Sequence, residues 1–251
     1  MTQRQILQFT GRDARSFLQG LVTNDVEKLE QGLVYAALLT PQGKYIADFF
    51  LVPGGPDGDA ILMDLPADLA PAVQQRLMMY KLRADVQIAP AGVNLQRGTG
   101  DAPDGAWTDP RHPALGWRAY SDAPEGDDGS DWDALRVAHA IPAAGCELTS
   151  DSFILEYGFE RLSGVDFRKG CYVGQEVTAR MKHKTELRKG LARVSVQGDA
   201  ETGDAILADG KPAGTLMTRS GDAALAYLRF DRATGTMQAR DATVTRLTDA
   251  D

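Results

Sequence analysis

The sequence predicts an α+β protein, with a mixed body over residues 1–189 and a small β-barrel module over residues 190–251. Two observations carry that prediction. In the body, apolar residues recur at helical spacing in three stretches, interleaved with short apolar runs that lie between turn residues. Beyond Gly190 the helical period disappears, and short strands alternate with Gly- and Asp-containing turns.

Residues 11–21 predict an amphipathic helix, with Ala14, Phe17, Leu18 and Leu21 on one face. Asn24-Asp25 supplies turn chemistry. Residues 33–39 suit a buried strand, Thr40-Pro41-Gln42-Gly43 a tight turn and residues 44–52 the returning strand of a hairpin. Residues 53–58 are a loop by composition, and residues 60–63 a short strand. Asp64 and Pro66 read as the opening of a second helix with Leu69, Val73, Leu77 and Tyr80 on one face. Residues 86–88 and 93–95 suit further strands. The stretches 98–113 and 121–131 are rich in Gly, Pro and Asp and read as loops. Ser130-Asp131 opens a third helix carrying Trp132, Leu135 and His139. In the module, residues 191–196, 205–207, 214–219, 223–228 and 242–247 read as strands.

The chain has 251 residues, 43% hydrophobic and 25% charged, with a formal net charge of -8. Such an acidic balance argues against a general nucleic-acid surface, which needs clustered Lys and Arg. The longest apolar run, residues 33–39, is too short to span a bilayer. There are two cysteines, Cys146 and Cys171, and no Cys-x-x-Cys pair, so no closed metal site is expected. No Ser-His-Asp order, His-Glu-x-x-His or Walker loop is present. The polar N-terminus and the sparse cysteines predict a protein of a reducing compartment, most simply a bacterial cytoplasm, and a monomer is the default expectation.

One stretch concentrates chemistry: Lys169-Gly170-Cys171-Tyr172-Val173-Gly174-Gln175-Glu176. Gly170 and Gly174 bracket the cysteine, and residues 175–181 are helix-compatible. A thiolate ahead of a helix N-terminus, with Lys169 beside it, would be stabilised by the dipole and the cation. Local chemistry leaves Cys171 equally readable as a small packed hydrophobe. Arg161, Arg168, Lys169, Arg180, Lys182, Lys184, Arg188 and Lys189 form a cationic cluster around it, suited to an anionic ligand or acidic partner. The same cations could equally serve a solvated helix C-terminus.

The run from Phe167 through Glu176 resembles the defining motif of the YgfZ family, which is similar to the T protein of the glycine cleavage system, an aminomethyltransferase. Phe17-Leu18-Gln19-Gly20, Thr23-Asn24-Asp25-Val26, Thr40-Pro41-Gln42-Gly43-Lys44, Tyr80-Lys81-Leu82-Arg83-Ala84-Asp85-Val86 and residues 132–142 resemble further family segments. The resemblance implies two α/β subdomains around a central folate cavity, followed by a C-terminal β-barrel. It implies tetrahydrofolate as ligand and a role in assembling or repairing iron–sulfur clusters, especially 4Fe–4S centres. Partners would be A-type scaffold or carrier proteins and cluster enzymes, including some that modify tRNA.

Residue by residue, the resemblance implies that Cys171, with Lys169, carries the chemistry. It implies that Trp132, Asp48, Tyr172 and Arg180 face the folate, and that Gly170, Gly174, Gln175 and Glu176 complete the motif. An aromatic face at Trp132 suits a pterin ring, although a core anchor for its helix fits as well. Two positions depart from the aminomethyltransferases. Ala47 leaves Asp48 as one acid where they have a pair, and Ala138 stands where a Glu grips the pterin. A folate-dependent aminomethyl or one-carbon transferase is therefore the second reading, and a scaffold without folate the third.

Overall fold

A computed structural model describes residues 3–54, 60–183 and 186–247. Packing divides the chain into two units, one of residues 1–130 and 160–177, the other of residues 131–159 and 178–251. Both are discontinuous in sequence, a pattern that a single linear boundary does not describe.

The first unit is built on a five-stranded antiparallel sheet. Its strands are β1 (Arg4–Thr10), β2 (Val34–Leu39), β3 (Tyr45–Gly54), β4 (Ala60–Pro66) and β5 (Gln87–Pro90), in the order β2-β3-β4-β1-β5. The predicted hairpin is β2 and β3, closed at Thr40 and Lys44. Residues 55–58 of the predicted loop lie outside the described residues, whereas Pro53 and Gly54 belong to β3. Alternate side chains face opposite sides of a sheet. Val34, Ala36, Leu38, Ala47, Phe49 and Leu51 point into the main core with Phe9, Ile61 and Met63. Two helices cover that face, α1 (Ala14–Gln19) through Ala14 and Leu18, and α2 (Ala70–Lys81) through Ala70, Val73 and Leu77.

A second sheet extends the strand expected at 93–95 and draws two short strands, Trp107–Thr108 and Gly126–Asp127, from stretches expected to be loops. β6 (Asn94–Gly98), β7 (Trp107–Thr108), β8 (Trp117–Ser121) and β9 (Gly126–Asp127) run in the order β7-β8-β6-β9. These strands are short and separated by turns, so their Gly and Pro content outweighs their periodicity.

Asp64 is also corrected. It does not open a helix; it lies in β4, fully buried, and α2 begins at Ala70. Its carboxylate accepts from Arg4 Nε at 2.6 Å, Tyr120 Oη at 2.8 Å and Arg118 Nη2. Burial alone would raise this carboxyl, but the Arg4 and Arg118 cations outweigh it and hold it at about 2.

In the second unit, Asp131 accepts from Ala134 N at 2.9 Å and caps α3 (Trp132–Ala138) as its sequence predicts. The helix α4 (Gln175–His183), whose first three residues belong to the first unit, precedes a closed barrel of β10 (Lys189–Gln197), β11 (Ala205–Ala208), β12 (Lys211–Ser220), β13 (Ala223–Arg229), β14 (Thr236–Ala239) and β15 (Ala242–Arg246). Around the barrel the order is β10-β13-β12-β11-β14-β15. Val194, Val196, Ile206, Leu216, Leu228, Met237 and Val244 fill its core. Glu147, fully buried, ties residues 143–148 to the barrel. It accepts from Arg136 Nη1 at 2.8 Å, Ala143 N at 2.9 Å and Thr218 N at 3.2 Å.

Candidate functional site

Three segments far apart in sequence meet around the cysteine motif in the first unit. The first contact is Lys169. Its ammonium donates to the carbonyls of Gln19 at 2.7 Å, Val22 at 2.6 Å and Asn24 at 3.0 Å. Three donors thus meet three acceptors. Burial lowers this ammonium to about 8. Lys169 is turned into the fold, so the expectation of a free cation beside the thiol gives way to a tether.

The second contact is the Thr23-Asn24 pair. Thr23 Oγ1 donates to Gly164 O at 2.7 Å and accepts from Ala37 N at 2.8 Å. Asn24 Nδ2 donates to Ser163 O at 2.7 Å and Tyr35 O at 2.8 Å. Asp166 N returns a bond to Thr23 O, and Lys28 pairs with the Asp166 carboxylate at 2.7 Å. Both polar side chains are buried, so these bonds satisfy groups that water does not reach.

The third contact is glycine on hairpin. Gly174 has φ +86°, and a Cβ there would lie 2.6 Å from the Thr40 carbonyl oxygen and 2.9 Å from Leu39 Cβ. Gly43 in the hairpin turn has φ +75°, and its Cβ would lie 2.8 Å from Val177 Cβ. Glycine alone permits this approach. Gln175 starts α4, and its Oε1 accepts from Tyr172 N at 2.9 Å, closing the turn. Glu176 is exposed in the first helical turn.

Between these anchors the chain faces water. Phe167, Arg168, Gly170 and Cys171 are exposed. Gly170 differs from Gly174: its φ is outside the left-handed region, and a Cβ would meet nothing within 4 Å. Cys171 stands four positions before the first residue of α4, outside the turn where the helix dipole acts most strongly. Tyr172 is half-buried, with the Lys169 ammonium 5.1 Å from its ring centroid.

Asp48 lies on the other face of the main sheet and is buried. Tyr45 Oη donates to it at 2.6 Å and Tyr35 Oη at 3.0 Å. Tyr35 is its diagonal cross-strand neighbour, since Asp48 pairs directly with Ala37. Burial, then the Asp48 charge, pushes both phenols well up, so they stay protonated and donate. Arg111 sits over the Tyr35 and Phe50 rings and is held bidentately by buried Asp109. Arg118 lies over Phe50 at 4.0 Å and reaches Asp64. Sequence reasoning missed Tyr35, Tyr45, Arg111 and Arg118. The same-face spacing of Tyr35 and Asp48 in the hairpin is the signal for the first; the arginines have none.

Trp132 and Arg180 belong to the second unit. Trp132 is the half-buried first residue of α3, and Arg180 is exposed on α4. Of the predicted cationic cluster, Arg161, Arg168, Arg180, Lys182, Arg188 and Lys189 are exposed, Lys169 is turned inward, and Lys184 lies outside the described residues. Both cysteines are free thiols.

Residues 188–248 match the family described as CAF17, C-terminal beta-barrel domain. The chain is 32% identical over 222 residues to the mitochondrial iron–sulfur cluster assembly factor IBA57 homolog of Mycosarcoma maydis. That match covers 76% of this chain and 55% of the relative. The IBA57 assembly factor of Mus musculus is 28% identical over 276 residues, covering 92% and 77%. Homologues of this chain thus include IBA57 iron–sulfur cluster assembly factors. The YgfZ-type resemblance read from the cysteine motif therefore holds. The chain spans about half the length of the fungal IBA57 relatives it matches, 55% and 51% for those of Mycosarcoma maydis and Neurospora crassa.

In fold, the chain is like the glycine cleavage system aminomethyltransferase T from Bartonella henselae. The TM-score is 0.75 at 12% identity, covering 98% of this chain and 83% of that one. The fold is thus of the glycine-cleavage T-protein type, as the resemblance implied. The cytoplasmic expectation is overturned, because the IBA57 relatives are mitochondrial proteins. Sparse, unpaired cysteines report a reducing environment and carry no information on which compartment provides it.

Proposed function

We propose that the chain is an assembly or repair factor for iron–sulfur proteins, especially those with 4Fe–4S clusters, and that it engages cluster through Cys171. The observation that carries this reading is the setting of the thiol. Cys171 is exposed on a segment whose flanks are anchored at Lys169 and Gly174. A cysteine kept for packing would be buried. Among the described residues no three His, Cys, Asp or Glu groups converge as a metal site. Cluster irons need several ligands, so one thiol fits a shared arrangement in which an A-type carrier supplies the others.

Tetrahydrofolate is the ligand this fold implies. The residues fit catalysis on it poorly. Asp48 already accepts from two tyrosines, and neither buried Ala47 nor exposed Ala138 offers an acceptor side chain. We therefore assign folate a binding role and derive no step through it. Calorimetric titration with tetrahydrofolate separates a folate-binding factor, which gives heat, from a scaffold, which gives none. Release of ammonia from an aminomethyl-lipoyl carrier would instead favour the transferase.

Complementation tests the main reading. In cells lacking the gene, wild-type chain restores 4Fe–4S enzyme activity, and Cys171→Ala at equal abundance does not. Full rescue by Cys171→Ala removes the thiol from the mechanism.

A further inference from the structure

The end of α2 carries a surface that neither the cysteine motif nor the fold accounts for. Its inner face is fixed, with Ala70, Val73 and Leu77 buried and Tyr80 packed against the main core. On the outside, Met78 is 50% exposed, Met79 59% and Leu82 88%. Scattered apolar residues on a surface are ordinary, but contiguous ones mark contact sites. Met78 and Met79 lie in the last turn of the helix, and Leu82 is the residue that ends it. Methionine, flexible and polarizable, recurs on surfaces that receive partners.

Leu82 adds an independent observation. Its φ is 44° and ψ -105°, and Ala84 N donates to Lys81 O at 2.8 Å. Lys81 through Ala84 thus form a II′-like turn with Leu82 at its first corner, a position dominated by glycine. A branched residue there is strained. The strain gains the fold no burial, because the side chain stands in water. A glycine would make the same turn more easily, so what Leu82 supplies is an exposed apolar group.

The surrounding charge points to the kind of partner. Between residues 69 and 84 there is no Asp or Glu, while Arg76, Lys81 and Arg83 are all present, in a chain of net charge -8. Arg76 lies one turn before Met79, Lys81 one turn after Met78, and Arg83 follows Leu82. Asp85, the next acid, is engaged by Arg12 at 2.8 Å. The hydrogen bond from Arg12, with Lys81 adding to the positive field, holds its carboxyl below the ordinary carboxylate range.

We propose that Met78, Met79 and Leu82, ringed by Arg76, Lys81 and Arg83, dock a partner protein whose surface has an apolar centre and an acidic rim. The apolar trio provides the buried centre of the contact, and the cations select an acidic rim and speed encounter. This surface is independent of the thiol, so its test does not share the fate of Cys171.

A photo-crosslinking residue placed at Met79 in the full chain tests this in cells that carry no other copy, with Ala72, exposed on the same helix, as control. The expected result is an adduct with a different protein, formed at position 79, absent at position 72 and unchanged in a Cys171→Ala background. The purified pair is then titrated. Leu82→Asp and Arg83→Glu each weaken binding about tenfold or more, as for central contacts and charge complementarity, and added salt weakens it further. Leu82→Gly separates binding from folding. It relieves the turn, so the melting temperature stays level or rises, while binding falls as in Leu82→Asp. No adduct at position 79, an adduct only with a second copy of the chain, or sedimentation with cardiolipin–phosphatidylcholine vesicles that Leu82→Asp abolishes would each overturn the proposal. Leu82→Gly binding as tightly as wild type would overturn it too.

Discussion

The ammonium of Lys169 donates to the carbonyl of Val22 at 2.6 Å, across 147 residues of chain. With Gln19 and Asn24 it closes the only three donor positions an ammonium has. Two segments that the sequence marks separately, 17–26 and 167–176, are thereby one structure. Lys169 is a positioning residue: it holds the strip of backbone from which Cys171 projects.

Replacing Lys169 with Met keeps length and apolar bulk and removes the donors. Leaving the three carbonyls to weaker partners costs about 1–3 kcal/mol. Chemical denaturation shows the loss as a lower midpoint with an unchanged slope. Unaltered stability would mean that the lysine acts by charge alone.

The two motif glycines separate cleanly. Gly174→Ala forces a Cβ against the Thr40 carbonyl at a left-handed φ, costing about 1–3 kcal/mol. Gly170→Ala meets open space and stays within about 0.5 kcal/mol of wild type. Thermal unfolding of both variants checks the contrast.

Asp64 gives the fold an acid limit. Its carboxyl is held at about 2 when folded against an ordinary value of 3.8. A folded pKa below the unfolded one contributes stability above the unfolded value, and that stability is lost as pH falls through the folded one. The gap corresponds to about 2 kcal/mol, lost between roughly pH 4 and pH 2. Urea unfolding across that window shows the decline. Asp64→Asn flattens this component and is less stable at neutral pH, because it leaves Arg4 without its buried counter-charge and Arg118 with Asp109 alone, at 3.6 Å.

Glu147 plays the corresponding part in the second unit. Glu147→Ala strands the Thr218 and Ala143 amides and leaves Arg136 with exposed Asp133 as its remaining carboxylate, and costs about 3 kcal/mol, since each buried donor left unpaired costs about 1–3 kcal/mol. Near-ultraviolet circular dichroism with denaturant titration measures it.

The β2–β3 hairpin, the inner face of α2, the Asp131 cap and most barrel strands are legible because contiguous residues encode each one. β1 is not, because Ile6 and Leu7 are adjacent apolar residues that break its alternation. β14 has only four residues, and the sheet of β6 to β9 is written in Gly- and Pro-rich stretches. Asp64 followed by Pro66 has the composition of a helix start; partners 60 and 54 residues away decide otherwise. The motif itself is legible, as is the need for glycine at Gly174. The inward turn of Lys169 and the two tyrosines on Asp48 depend on tertiary contacts that no local pattern records.

In the proposed role, Cys171 takes hold of cluster while its flanks only position it. Anaerobic titration of a cluster-loaded A-type carrier with the purified chain, followed by visible circular dichroism, tests this most directly. Wild-type chain should change the cluster spectrum to a saturating endpoint. Cys171→Ser, folded to the same melting temperature, should leave it unchanged. An identical spectral change with Cys171→Ser would remove Cys171 from cluster binding.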